Sequence, residues 1–232
     1  VAVSELIAGR YEVVKDLGKS STTETYLAKH KRLGDLDVVI KVFSKEISSN
    51  PNKFPNIQSA IVDALHISHP NVVEVYEFVS EGGVTLYSME YIDGLNLVSY
   101  LESSTDRKFE LDIKLIAGIF EGLNAIHTAG SLHTNLKLQN ILIDASGVPK
   151  VSDLGFSEQG SEAADIYEAS KIGYRILTGV FPSELNLRPV SEFRQEANKE
   201  VDAVFAKALS KDAAERFLSA REMTNALSIL LD

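Results

Sequence analysis

Lys41 interrupts a β-branched run at residues 37–43 (DVVIKVF), and a cation inside an apolar strand needs an anionic partner. Further along, residues 133–153 (HTNLKLQNILIDASGVPKVSD) gather Lys137, Asn140 and Asp153. A carboxylate and an amide oxygen are hard donors of the kind a magnesium ion takes, and a lysine is a counter-charge for phosphate. For these groups to act together the chain must fold back on itself. Two short apolar runs, 141–143 and one ending at Val151, flank Asp144-Ala145-Ser146-Gly147, so the spacing predicts a hairpin with a turn of Asp/Ser/Gly chemistry. That hairpin sets the loop bearing Lys137 and Asn140 opposite Asp153-Leu154-Gly155.

The elements that must position these groups are legible in the periodicity. Residues 10–17 and 25–28 read as strands turning at Gly18, and residues 72–79 and 84–90 as a hairpin around Ser80-Glu81-Gly82-Gly83. A helix is predicted over 57–67, ended by Ser68-His69-Pro70-Asn71. Leu115, Ile116, Ile119, Phe120, Leu123 and Ile126 recur at helical spacing in 111–128, with Gly130 as the C-terminal cap. Ser219-Ala220-Arg221-Glu222 has capping-box spacing ahead of a closing helix.

Composition narrows the classes. The 232 residues, 44% of them hydrophobic, suffice for one large domain or two lobes. A net charge of −10 with no long basic run argues against a nucleic-acid or anionic-membrane partner. Without cysteine there is no disulfide, thiolate nucleophile or zinc-thiolate site. No run approaches a membrane span, and the expected location is cytoplasmic, including the cytoplasmic portion of a longer membrane protein.

Residues 133–140 and 153–155 resemble the catalytic and magnesium-binding loops of the protein kinases, H-R-D-L-x-x-x-x-N followed by D-F-G. His133-Thr134-Asn135-Leu136-Lys137-Leu138-Gln139-Asn140 and Asp153-Leu154-Gly155 stand in register with them. Val38-Val39-Ile40-Lys41 is similar to V-A-I-K, His69-Pro70-Asn71 to H-P-N, Asp165-Ile166-Tyr167-Glu168 to D-I-Y-S, and residues 210–217 (SKDAAERF) to K-D-P-x-x-R-F. The resemblance runs from Arg10 to about Leu231 and looks most like the bacterial Ser/Thr kinases of eukaryotic type. It implies an α+β, two-lobed fold: a small β-rich N-lobe with one helix (1–91) and a larger, mainly helical C-lobe (92–232) with a shortened activation segment. It also implies nucleotide-binding positions at Gly18, Lys41, Glu90, Ile92 and Lys137, the backbone of Glu90 and Ile92 facing adenine beside Met89. Asn140 and Asp153 would hold magnesium if Mg-nucleotide binds.

The departures from the family pattern are as informative. Asn135 occupies the position of the catalytic base, and an amide cannot take up a proton; losing a general base costs about 10²- to 10⁴-fold. Read alone, Asn135 is a loop amide bonding local backbone. Ser20 and Thr23 replace two glycines of the phosphate loop, and Val39 replaces the alanine over the adenine pocket, its extra methyl groups crowding a base there. Counting back from His69 puts Ala60 at the position of the glutamate that pairs with Lys41, with Asp63 one turn on as the alternative. Thr134 replaces an arginine, the A-P-E motif is absent, and Arg216 loses the glutamate it would pair with. His127 and His133 match structural histidines.

These departures lead to the expectation of a domain that is not an enzyme: a pseudokinase serving as a signalling scaffold for protein partners, with no catalytic residue, no cofactor, and Mg-ATP binding weak or absent. The alternatives are a Ser/Thr kinase of low activity and a nucleotide sensor that binds ATP without phosphoryl transfer.

Overall fold

The computed structural model describes residues 6–103, 106–155, 160–183 and 185–231. They fall into two compact units, one of residues up to 68 together with 73–92, the other of 69–72 together with 93 onward. The architecture is α+β and two-lobed, one unit built on a sheet and the other mainly helical.

The first unit is a five-stranded antiparallel sheet of β1 (Tyr11–Lys19), β2 (Thr23–His30), β3 (Leu36–Phe43), β4 (Val75–Glu81) and β5 (Val84–Glu90), in the order β1-β2-β3-β5-β4. Strand alternation sends Tyr11, Ala28, Val38, Ile40, Val79 and Leu86 into one core. The two edge strands are joined by side chains: Glu77 of β4 accepts from the Tyr11 hydroxyl and, at 2.8 Å, from Arg10.

Two helices accompany this sheet. α1 (Lys45–Ser48), capped by the Ser44 hydroxyl, is too short to leave a periodic signal. α2 (Phe54–Ala64) starts before the predicted residue 57, because Pro55 sits in its first turn, where a missing N–H costs nothing, and Phe54 packs edge-on against Phe43 at 5.8 Å. It ends at Ala64; His66 and Ile67 continue in tighter turns, each N–H donating to the carbonyl three residues back. Its buried face is Ile57, Ile61 and Ala64.

The second unit holds a three-stranded antiparallel sheet, β6 (Gly94–Asn96), β7 (Ile141–Asp144) and β8 (Pro149–Val151), with α3 (Leu97–Ser103), α4 (Phe109–Thr128), α5 (Glu162–Thr178), α6 (Lys199–Ala208) and α7 (Ala220–Ile229). The predicted apolar face of α4 is buried throughout, and Gly130, at φ +78°, closes the helix by donating its N–H to His127. At the start of α4 the buried carboxylate of Asp112 is matched by Arg107 at 2.8 Å and Arg194 at 2.9 Å. Residues 179–198 link α5 to α6 with only the 3-10 turn Val190–Glu192 among the described residues. The cap of α7 is displaced from the expected box: Ser219 Oγ accepts from Glu222 N–H, while the Glu222 carboxylate reaches back to Leu218 N–H at 3.0 Å rather than to Ser219. Among the described residues no helix is long and apolar enough to cross a membrane.

Candidate functional site

The hairpin expected from residues 141–151 forms, with Ile141 opposite Val151 and Ile143 opposite Pro149. Its turn is held by the Asp144 carboxylate, which accepts the N–H groups of Ser146 at 2.8 Å and Val148 at 2.9 Å. Past the last strand pair, Ser152 donates its N–H at 2.8 Å and its hydroxyl at 3.1 Å to the Asn140 carbonyl. Asn140 and Asp153 are thereby fixed at the open end of one hairpin, as the spacing predicts. Buried Asn140 donates Nδ2 to the Asn135 carbonyl at 3.0 Å, which leaves its Oδ1 as an acceptor for a cation. No group of three or more carboxylate or imidazole ligands occurs among the described residues. A magnesium ion here would take Asn140 and Asp153 from the protein and the remainder from phosphate and water.

Asp153 has φ +59°, a left-handed conformation that costs a non-glycine residue roughly 1–3 kcal/mol and persists only where the surroundings enforce it. The next residue but one supplies part of that enforcement. Gly155 donates its N–H to the His133 carbonyl at 2.6 Å, and a Cβ at 155 would lie 2.2 Å from Thr134 Oγ1, so only glycine fits.

The loop at 133–137 is fixed in turn from α5. The Asp165 carboxylate accepts the N–H groups of His133 at 2.7 Å and Thr134 at 2.8 Å, and lies 3.0 Å from His127 Nε2. Burial works to raise the Asp165 pKa, but these donors together hold it below the usual carboxylate value. His133 is fully buried, and desolvation lowers its pKa, so it is neutral near pH 7; Nε2–H donates to the Ser152 carbonyl at 2.9 Å and Nδ1 accepts from Asn135 N–H at 3.3 Å. Both histidines are structural, as expected. Asp165 carried no assigned role in the sequence. The available signal was an aspartate set at the entrance of a helix otherwise turned inward.

Asn135 corrects one expectation. Its backbone N–H and carbonyl are bonded within the loop, but its exposed side chain has no hydrogen-bond partner among the described residues. The amide is therefore available to an incoming hydroxyl rather than spent on local backbone. Lys137 is exposed at the start of the 3-10 turn Leu138–Asn140.

The remaining candidates lie in the first unit. Lys41 is half-buried on β3, in register with Thr25 of β2 and Tyr87 of β5. Ala60 is half-buried on α2; Asp63 is exposed and forms no ion pair among the described residues, so it does not stand in as the partner of Lys41. Gly18 takes φ +129° and donates its N–H to Asp16 Oδ1 at 2.8 Å. In the turn that follows, Ser20 Oγ accepts the N–H of Thr23 at 3.0 Å and of Thr22 at 3.2 Å. These are the backbone donors a glycine-rich loop would offer to phosphate. Val39 and Met89, both 7% exposed, face each other across β3 and β5. Glu90 ends β5 with its N–H given to the Glu74 carbonyl at 2.8 Å, and Ile92 lies beyond the strand.

A sheet unit with a lysine on β3, and a helical unit whose hairpin fixes an asparagine and a strained aspartate, define a protein-kinase-like domain. The family model described as protein kinase domain matches residues 11–174, and the chain belongs to that family. It is 25% identical to the probable serine/threonine-protein kinase PknB of Lactococcus lactis over 96% of this chain and 42% of that protein. It is 26% identical to the serine/threonine-protein kinase PknB of Mycobacterium leprae over 94% of this chain and 42% of that protein. The chain thus spans about two fifths of the length of these curated relatives. The crystal structure of the Mycobacterium tuberculosis PknI kinase domain superposes with a TM-score of 0.79 at 23% identity, covering 99% of each chain.

These findings overturn the expectation of a non-enzyme. The relatives that match nearly the whole chain are named as serine/threonine kinases. The physical reason the sequence misled is that phosphoryl transfer draws mainly on positioning and metal charge, so a lost base does not by itself remove the reaction.

Proposed function

We propose that the chain is a Ser/Thr protein kinase domain of reduced activity that uses Mg-ATP as its phosphoryl donor. The observation that carries this reading is the unpartnered amide of Asn135 beside the anchored pair Asn140 and Asp153. Asp153 and Asn140 would hold the cation, which when bound would supply charge against that developing on the phosphoryl oxygens. Asn135 orients the acceptor hydroxyl, and the proton passes to solvent or phosphate. By the family resemblance, Lys41 in the first unit and Lys137 in the second are the counter-charges expected for phosphate. Binding of ATP is weak, because Ser20 occupies backbone donors of the phosphate loop and Val39 narrows the wall where adenine would sit.

The test is transfer of radiolabelled phosphate from Mg-ATP to the protein itself and to a generic protein acceptor, beside a Lys41→Ala, Asp153→Ala double variant. Turnover above the double variant is expected. Equal rates in the two proteins would sink the reading.

A further inference from the structure

In the second unit, α5, the loop after it and residues 209–216 enclose a cavity of about 490 Å³. Tyr167 and Lys171 of α5, Phe181 and Leu187 of the loop, and Lys211 and Arg216 contribute to its lining. On a chain of net charge −10 this pocket gathers three cations. The guanidinium of Arg216 lies 4.0 Å from the centre of the Tyr167 ring and the Lys171 ammonium 5.3 Å from it.

The nearby acids are already committed. Glu168 pairs with Lys171 at 2.7 Å, and Glu215 accepts the Ser210 hydroxyl at 2.8 Å. Lys211 and Arg216 have no carboxylate partner among the described residues. Arg216 is neither idle nor paired with an acid: Nε donates to the Ser210 carbonyl at 2.8 Å, which orients the plane and leaves the terminal nitrogens as a fork. Phe181, 55% exposed, forms an apolar wall.

We propose that this pocket docks an acidic peptide segment of a partner protein, one carboxylate forked by Arg216 and approached by Lys211, with a neighbouring apolar side chain against Tyr167 and Phe181. Charge complementarity selects the occupant: on an acidic protein, this cationic, aromatic-walled pocket favours acidic segments that the net charge otherwise repels. The proposal is independent of phosphoryl transfer, since none of these residues belongs to the hairpin or the loop it supports.

The test is fluorescence anisotropy of a labelled peptide carrying a phenylalanine between two glutamates, beside the same peptide with glutamines. Saturable binding of the glutamate peptide is expected, weakened about tenfold by the glutamine exchange and by the exposed substitution Lys211→Glu, which leaves phosphoryl transfer unchanged. Arg216→Gln should weaken it further, and Lys211→Glu keeps the test decisive if that variant fails to fold. Equal affinity for the two peptides, insensitivity to Lys211→Glu, or no binding at millimolar peptide overturns the proposal. Glu184, outside the described residues, is replaced in a parallel Glu184→Gln protein; binding gained only there means that an internal carboxylate fills the pocket, which also overturns it. So does concentration-dependent self-association in sedimentation that Lys211→Glu abolishes, because the occupant is then a second copy.

Discussion

The turn that follows Gly18 and the loop that follows His133 are both polar segments next to a hairpin, yet they are held in opposite ways. In the first, an exposed Ser20 bonds its own neighbours, Thr22 and Thr23, so the segment is satisfied locally and presents few open donors. In the second, the backbone of His133 and Thr134, just ahead of Asn135, is held by Asp165 on α5, and the Asn140 carbonyl by Ser152 across the hairpin. The difference teaches where this domain places its rigidity. The hairpin end that carries Asn140 and Asp153 is over-determined by buried hydrogen bonds, whereas the turn after Gly18 is self-contained.

The strongest way to sharpen that contrast is to restore the missing base in the rigid region. Asn135→Asp places a carboxylate on a loop whose backbone is already anchored, and phosphoryl transfer should rise by about 10²- to 10⁴-fold. Single-turnover rates at saturating Mg-ATP measure it; an unchanged rate would mean that the acceptor hydroxyl does not reach residue 135.

Acid should break the rigid region before the turn. His133 is held below its ordinary pKa of 6.5 by burial, so the unfolded chain binds the proton more readily. Its contribution is complete above pH 6.5 and is lost as pH falls from there toward its folded value. Asp165, held below its ordinary 3.8, contributes above that value and loses its contribution at still lower pH. Both signs agree that stability declines with acid, beginning near pH 6.5. Denaturant midpoints from pH 8 to 5 should fall in the wild type and flatten over that window in His133→Gln.

The smallest effect belongs to the turn. Ser20→Gly releases the N–H groups of Thr22 and Thr23 and should strengthen Mg-ATP binding by about 0.5–1.5 kcal/mol for one hydrogen bond regained. Calorimetric titration with ATP and magnesium reads this directly. Weaker binding in the variant would show that the hydroxyl itself serves the phosphate.

Legibility followed the range of the interactions. The strand around Lys41, the hairpin at 141–151 and the face of α4 were readable because alternation, turn chemistry and helical spacing are local signals. β6 was not, since Gly94–Asn96 is a strand only by pairing with β7, far along the chain. Asp165 was read as part of a D-I-Y-S-like segment and not as the anchor of the loop, because its partners lie more than thirty residues earlier. The unbonded Asn135 side chain was likewise invisible, as residue type does not say whether an amide bonds its own loop.

The reach of Asp165 also orders events during folding. The backbone of His133 and Thr134 gains its anchor only when α5, 31 to 32 residues downstream, has formed and docked. Bringing those segments together costs more chain entropy than closing the local hairpin of β7 and β8. As the chain emerges during synthesis, the hairpin can pair first, and the segment ahead of Asn135 gains its anchor only after α5 has followed.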